Sequence, residues 1–304
     1  MSGGLASATS QREVPVCKAG ILLLMWVYRC LGQRVCRWLL WGLVLVAYPF
    51  LGHARRASAV FLQQWRAYSG RRACSSFRHI LTFAYTMADR MACRMGLFGK
   101  ERVRICTPEA AEELMGCYRR GQGVFCIASH LGCFDMLRVL FAVPVQEGGG
   151  EIHVFMDVAA TEAFTRIQSR YASRSDLFVH AVQELGVGMS ILMAQKLEAG
   201  AIVVMAGDRL WRAGQRAELR EMFLGREAAF PRGCFSWAAA LQCPVFTFCL
   251  AERGGMYDLR VRCLAREGGA GVTASQLVRD YVQTLQEWCL LYPANWFNFY
   301  AYWL

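Results

Sequence analysis

"GVFCIASHLGCFDM", residues 123–136, runs from five apolar residues into a histidine, a glycine and an acid. The apolar run Val124–Ala128 is short and follows a glycine, which suits a strand buried on both faces better than a helix. His130 then stands at the carboxyl end of that strand. The residues after Gly132 carry helical spacing, which predicts a strand–turn–helix unit with Asp135 in the first turns of the helix.

Working outward from this unit, short apolar runs alternate with helical stretches from residue 101 onward. "RVRICT", "EIHVFMDV", "DLFVHAV", "AIVVMAGD", "PVFTFCLA" and "YDLRVRCLA" read as strands. "PEAAEELMGCYRRG", segments near 160–171 and 188–199, "CFSWAAALQ" and "ASQLVRDYVQTLQEWCLLY" read as helices. The stretch between "AIVVMAGD" and "CFSWAAALQ" reads as a loop. Pro108 opens one helix and Gly200 closes another, in keeping with their cap preferences. The alternation predicts an α/β fold, a mostly parallel sheet flanked by helices on both faces. Sites in such sheets lie outside the carboxyl ends of the strands, where His130 falls.

A histidine at a strand end and an aspartate five residues on can meet across the turn. The carboxylate would fix one tautomer of the ring and stabilise its protonated form, leaving a neutral imidazole to take a proton from an alcohol or amine. His130 is thus the candidate general base and Asp135 its orienting acid. No G-x-S-x-G elbow occurs, so the nucleophile is expected to be the substrate itself. Asp208 ends the strand read in "AIVVMAGD" and is a candidate binding residue. His153 and His180 alternate with apolar residues and read as satisfied strand side chains, His53 as interfacial, His79 as part of a basic helix face. The aromatic ending Trp296–Trp303 reads as core packing, with an interfacial contact as the alternative.

The net charge of +11 is unevenly placed: residues 1–104 hold 16 Lys and Arg against three acidic residues. Basic segments suit nucleic acid or anionic lipid. Here they are interleaved with apolar blocks in "ILLLMWVYRCLGQRVCRWLLWGLVLVAYPFLGHARR", residues 21–56, which excludes a nucleic-acid surface. The uncharged stretch 38–52 would span about 22 Å as a helix, against about 30 Å of hydrocarbon. A shallow, monotopic anchor or a single N-terminal membrane helix is expected over 20–56, with Trp26, Trp38, Trp41 and Tyr48 at the interface and the arginines snorkelling to headgroups; a hairpin of core helices is the alternative. Residues 1–19 are polar and read as a disordered tail. Residues 57–95 read as two basic amphipathic helices, broken near "YSGRR", that lead into the α/β core; the domain as a whole runs over 57–304. The 14 cysteines have neither C-x-x-C spacing nor a zinc-type Cys/His pattern, so no metal or disulfide is expected.

With these residues in place, "SHLGCFDM" resembles the H-x4-D/E motif of the lysophospholipid and glycerolipid acyltransferase superfamily, and within it the lauroyl/myristoyl acyltransferases of lipid A biosynthesis. The segment "VVMAGDRLW…MFLGREAAFPRGCFSWAAALQCPVF" is similar to theirs: Asp208 at a strand end, Phe223 with Gly225, Phe230-Pro231 with Gly233, then Pro244-Val245. The ending "NWFNFYAYW" also resembles theirs, and the likeness covers the chain from about residue 20. It implies acyl transfer from acyl carrier protein or acyl-CoA to a hydroxyl or amine of a lipid or glycolipid, at the cytoplasmic face of a bacterial inner membrane, with no cofactor. It further implies that backbone N–H groups after Gly132 stabilise the oxyanion, and that Asp208, Arg209, Gly225, Arg226 and Arg232 lie in the substrate-binding region, the arginines for phosphate. A non-catalytic membrane- or lipid-binding relative with the same fold is the alternative.

Overall fold

The computed structural model describes residues 18–133, 136, 150–156, 177–210, 218–266, 271–300, 302 and 303. Three helices come first: α1 (Lys18–Ala47), α2 (Gly52–Ser69) and α3 (Ser76–Arg94). The sheet strands follow as β1 (Val103–Ile105), β2 (Val124–Ala128), β3 (Ile152–Met156), β4 (Leu177–Ala181), β5 (Ile202–Ala206), β8 (Val245–Arg253) and β9 (Met256–Ala265). Between β5 and β8 a separate hairpin forms from β6 (Glu218–Phe223) and β7 (Arg226–Pro231). The remaining helices are α4 (Pro108–Arg119), α5 (Val187–Glu198), α6 (Arg232–Ala240) and α7 (Ala274–Leu291). The helix read near 160–171, the start of the helix after Gly132 and the polar tail up to residue 17 lie outside the described residues.

The seven strands order as β1-β9-β8-β2-β5-β3-β4. Strands β8, β2, β5, β3 and β4 run parallel; β9 turns back on β8 through Gly254-Gly255, and β1 pairs parallel to β9. The protein is therefore α/β with a mostly parallel mixed sheet. Side chains alternate across the central strands, as a pleated strand requires. Phe125, Ile127, Val203 and Met205 join one buried cluster, with residues of α6 and α7. Val124, Cys126, Ala128, Ile202 and Val204 join a second, with residues of α4. Strands buried in this way need near-continuous apolar sequence, which is why "VFCIA" and "IVVMA" contain no charged side chain.

Two segments depart from the sequence expectation. The stretch read as a loop before α6 holds the β6–β7 hairpin, with Leu224-Gly225 at its turn and Leu219, Phe223, Ala228 and Phe230 buried. The apolar segment near the N-terminus folds as one run from Lys18 to Ala47, broken in the middle at Gly32, whose φ of 80° and ψ of 174° lie far from helical values. Leu22–Phe50 is long and apolar enough to cross a membrane, and only 17% of its most apolar window is buried. One side of α1 packs on α3, where Val27, Tyr28, Cys36 and Leu40 meet Ala88 and Ala92, and Val44 meets Ile80 and Leu81. Arg37 does not snorkel: it forms ion pairs with Asp89 of α3 at 2.9 Å and Glu252 of β8 at 2.7 Å.

Candidate active site

The register of β2 against β5 builds the site. Ala128 pairs with Ala206, so the residues two beyond each strand, His130 and Asp208, arrive side by side. The Gly207 N–H donates to the Ala128 carbonyl at 2.9 Å and holds that alignment past the strand ends. The Tyr281 hydroxyl of α7 donates to the same carbonyl at 2.9 Å.

Asp208 is fully buried and accepts four hydrogen bonds. Its Oδ1 faces His130 Nδ1 at 2.7 Å, and its Oδ2 accepts from the His130 backbone N–H at 2.8 Å, Trp296 Nε1 at 3.0 Å and Asn298 Nδ2 at 3.1 Å. A carboxyl group surrounded by donors is held as the carboxylate. Burial alone would raise its pKa, but the charge and hydrogen bonds of His130, together with Arg209, bring it below the usual carboxylate value. Since the carboxylate only accepts, His130 Nδ1 must carry the proton, and Nε2 is then the basic nitrogen. The His130 side chain keeps 27% of its surface exposed, enough for an edge of the ring to meet a substrate. Its pKa lies below the ordinary 6.5, first because the ring is desolvated, then because of the Arg209 guanidinium; Asp208 opposes both, and Arg90 adds to the lowering. The ring is neutral at pH 7.

Sequence reasoning missed the wall of the site. The segment after α7 pairs with the backbone beyond β2: Leu131 bridges Trp296, the Phe297 N–H donates to the His130 carbonyl at 2.9 Å, and the Gly132 N–H donates to the Asn295 carbonyl at 2.8 Å. Trp296 and Asn298, read as core packing, are ligands of the Asp208 carboxylate. The signal available was the pairing of Asn with Trp in "NWFN", since each carries a side-chain donor that core packing alone does not require.

The expected residues fall as follows. Asp135 lies outside the described residues, and the acid on His130 Nδ1 is Asp208. Asp208, expected to bind substrate, has no exposed surface, and its acceptor positions are filled by His130, Trp296 and Asn298. The N–H groups of the helix expected after Gly132 lie outside the described residues, and Gly132 itself has no N–H to spare. Its N–H is spent on Asn295, that of Cys133 on the Leu250 carbonyl at 3.0 Å, and that of Leu131 on Ser129 Oγ at 3.3 Å. Gly132 matters through its lack of a side chain. Its φ is +76°, and a Cβ there would stand 1.9 Å from the Leu250 carbonyl oxygen, so glycine lets β8 close on the site. Arg209 is at the site. It donates to Asn298 Oδ1 at 3.0 and 3.3 Å and lies 5.3 Å over the Tyr300 ring, fixed next to the Asp208–His130 pair. Gly225 is in the β6–β7 turn against Tyr68 of α2, Arg226 lies over the Trp303 ring at 6.0 Å, and Arg232 opens α6 exposed. No described contact joins these three to His130.

His79 is also placed differently from the sequence reading. It is buried, with Nδ1 at 3.0 Å from Ser58 Oγ and Nε2 at 2.9 Å from the Trp296 carbonyl, and burial pushes its pKa down to about 4. It ties α2 and α3 to the wall of the site. Cys234 and Cys289 are sealed nearby with thiol pKa values pushed up by burial, so neither is a nucleophile.

No protein-family model matches the chain, and no curated protein is significantly similar to it.

Proposed function

We propose that this protein is a membrane-associated acyltransferase that moves a fatty acyl chain from a thioester donor, acyl carrier protein or acyl-CoA, to a hydroxyl or amine of a lipid or glycolipid such as a lipid A precursor. The observation that carries the reading is the neutral imidazole of His130, held by a buried carboxylate through Nδ1 with Nε2 left basic, at the carboxyl end of adjacent parallel strands. Nε2 accepts the proton as the acceptor oxygen or nitrogen attacks the thioester carbonyl. The imidazolium, stabilised by Asp208, then protonates the departing thiolate as the tetrahedral intermediate collapses. Such acid–base help is worth roughly 10²–10⁴ in rate. With the N–H groups of residues 130–133 engaged, the oxyanion falls to a cation beside His130, and Arg209, held by Asn298, is the one we assign to it. No metal or organic cofactor takes part in these steps.

The two separate apolar clusters support helices on both faces of the sheet, which leaves the carboxyl edge of the strands as the way in. The apolar, arginine-rich α1 supports attachment at the cytoplasmic face of a bacterial inner membrane. The decisive experiment incubates the detergent-solubilised protein, or its His130→Ala variant, with extracted bacterial lipids and a radiolabelled acyl donor, acyl carrier protein in one series and acyl-CoA in the other. The wild type is expected to label a lipid and the variant to lose at least about 100-fold in rate. Equal labelling by both would remove His130 from catalysis, and no labelling by either across both donor types would favour a lipid-binding protein without enzymatic activity.

A further inference from the structure

We infer that α1 lies in the plane of one leaflet of an anionic bilayer and does not cross it, with Arg37 as the internal tie that fixes this orientation. The inference rests on the membrane-attachment part of the reading above and is independent of acyl transfer.

Three observations carry it. First, the break at Gly32 divides α1 into residues 18–31 and 33–47, about 21 Å and about 22 Å long at 1.5 Å per residue. Neither half reaches across a hydrocarbon core of about 30 Å. Second, α1 is packed on α3 from Val27 to Val44, about 26 Å of its length. A crossing α1 would have to carry α3 into the hydrocarbon, together with Asp89 and Glu252, which Arg37 holds at its centre. Charged groups at that depth are costly. Asp89 is further held by Tyr28, Gln33 and Tyr257, so α1 is fastened to the body of the protein by polar contacts along one side.

Third, the opposite side of α1 is apolar and open. Trp38 is 75% exposed, Val46 71% and Phe50, just after the helix, 86%; Leu23, Trp26, Leu39 and Leu43 are also exposed. A contiguous stripe of this kind on a helix that is already packed on its other side fits insertion to the depth of the headgroup–acyl boundary. Charge identifies the lipid. Arg29 and Arg34 are exposed within the stripe, and Arg56, Arg66, Arg71 and Arg72 are exposed on α2 and the turn after it. No acidic residue occurs from Lys18 to Arg78. Such a surface complements phosphatidylglycerol-type headgroups and not a zwitterionic bilayer.

The test uses the full chain on vesicles of phosphatidylcholine alone or mixed equally with phosphatidylglycerol. Partitioning is expected to be at least about tenfold stronger on the anionic vesicles and to weaken with salt. A fluorescent amino acid is introduced at position 23, 35 or 46 and quenched by lipids brominated near the headgroup or near the chain end. An in-plane helix gives the same shallow depth at all three positions. Deep quenching at position 35 with shallow quenching at 23 and 46 would mean a crossing helix and overturn the inference. Leu39→Glu with Val46→Glu places charge on two exposed positions, so folding checked by circular dichroism should hold while partitioning falls at least about tenfold. Failure of the wild type to partition, or indifference to lipid charge, would also overturn it. Acyl transfer measured in detergent reports separately on His130.

Discussion

Replacing Asp208 with asparagine isolates what the carboxylate does, because the side chain keeps its shape. Three donors converge on Oδ2 and one on Oδ1. An amide has a single carbonyl oxygen, and the position with three donors claims it. The NH₂ group then stands at the Oδ1 position, 2.7 Å from His130 Nδ1. Two N–H groups cannot face each other there, so Nδ1 must give up its proton and the ring must protonate Nε2. The basic lone pair then points into the protein and not at the substrate. The same tautomer reversal costs about 10⁴ in kcat in Ser-His-Asp triads. A loss of roughly 10³–10⁴ is expected here, about 4–5.5 kcal/mol of transition-state stabilisation. Stability should fall by only about 1–2 kcal/mol, since the three bonds to Oδ2 survive and the fourth reverses its direction, all without the carboxylate charge. Nitrogen-15 NMR of labelled histidine, with His130→Gln for assignment, reads the tautomer directly, and transfer of a labelled acyl group reads the rate. If Asp208→Asn leaves the Nδ1–H tautomer in place, or retains activity within tenfold, Asp208 is not the orienting acid.

Two further outcomes follow from the electrostatics. The base form of His130 is required, and its pKa is below 6.5, so activity should be level above pH 6.5 and fall on the acid side with a midpoint below that value; Arg209→Gln removes one of the two chief causes of the lowering and should move the midpoint upward along with a lower kcat, whereas an unmoved midpoint would mean that Arg209 does not act on His130. His79 is neutral in the folded protein with a pKa of about 4, below the unfolded value near 6.5, so the unfolded chain takes up the proton first. Stability from this group is complete above pH 6.5 and declines as pH falls toward 4, by about 3 kcal/mol in all, and the urea midpoint of His79→Gln should lack that component between pH 4 and 6.5.

The strand ending at His130 is legible in the sequence because "VFCIA" is apolar, short and bounded by glycine. The strand ending at Asp208 is legible for the same reason. Their meeting is not. It depends on β5 inserting between β2 and β3, a pairing between residues 78 apart that no local pattern encodes. Local spacing therefore points to a partner for the histidine five residues away and not across the sheet. Long-range assembly also explains Trp296 and Asn298, whose side chains reach Asp208 from 88 and 90 positions later. The hairpin around Gly225 is hidden by the loop-like Arg and Glu content of "ELREMFLGREAAFP", although its alternating Leu219 and Phe223 carry the period of a strand. His79 escapes a local reading because its neighbour Arg78 is exposed, and one helix turn carries both an inward and an outward position.

The Arg37 contact makes the N-terminal helix unsuitable for trimming. A shortened version lacking residues 1–50, of the kind often made to avoid detergent, would strip Asp89 of Tyr28, Gln33 and Arg37, and Glu252 of its ion pair. Asp89 would keep Tyr257 at 3.0 Å and a longer ion pair with Arg102 at 3.6 Å, so the loss is a part of the roughly 3–5 kcal/mol that breaking a buried ion pair costs. The damage would not stop at the helix. The Asn295 side chain grips Glu252 through its backbone N–H at 2.7 Å and its carbonyl at 3.1 Å, while the Asn295 carbonyl receives the Gly132 N–H two residues from His130. What looks like a detachable foot is a foundation, and a truncated preparation that proved inert would say nothing about the chemistry of the intact molecule.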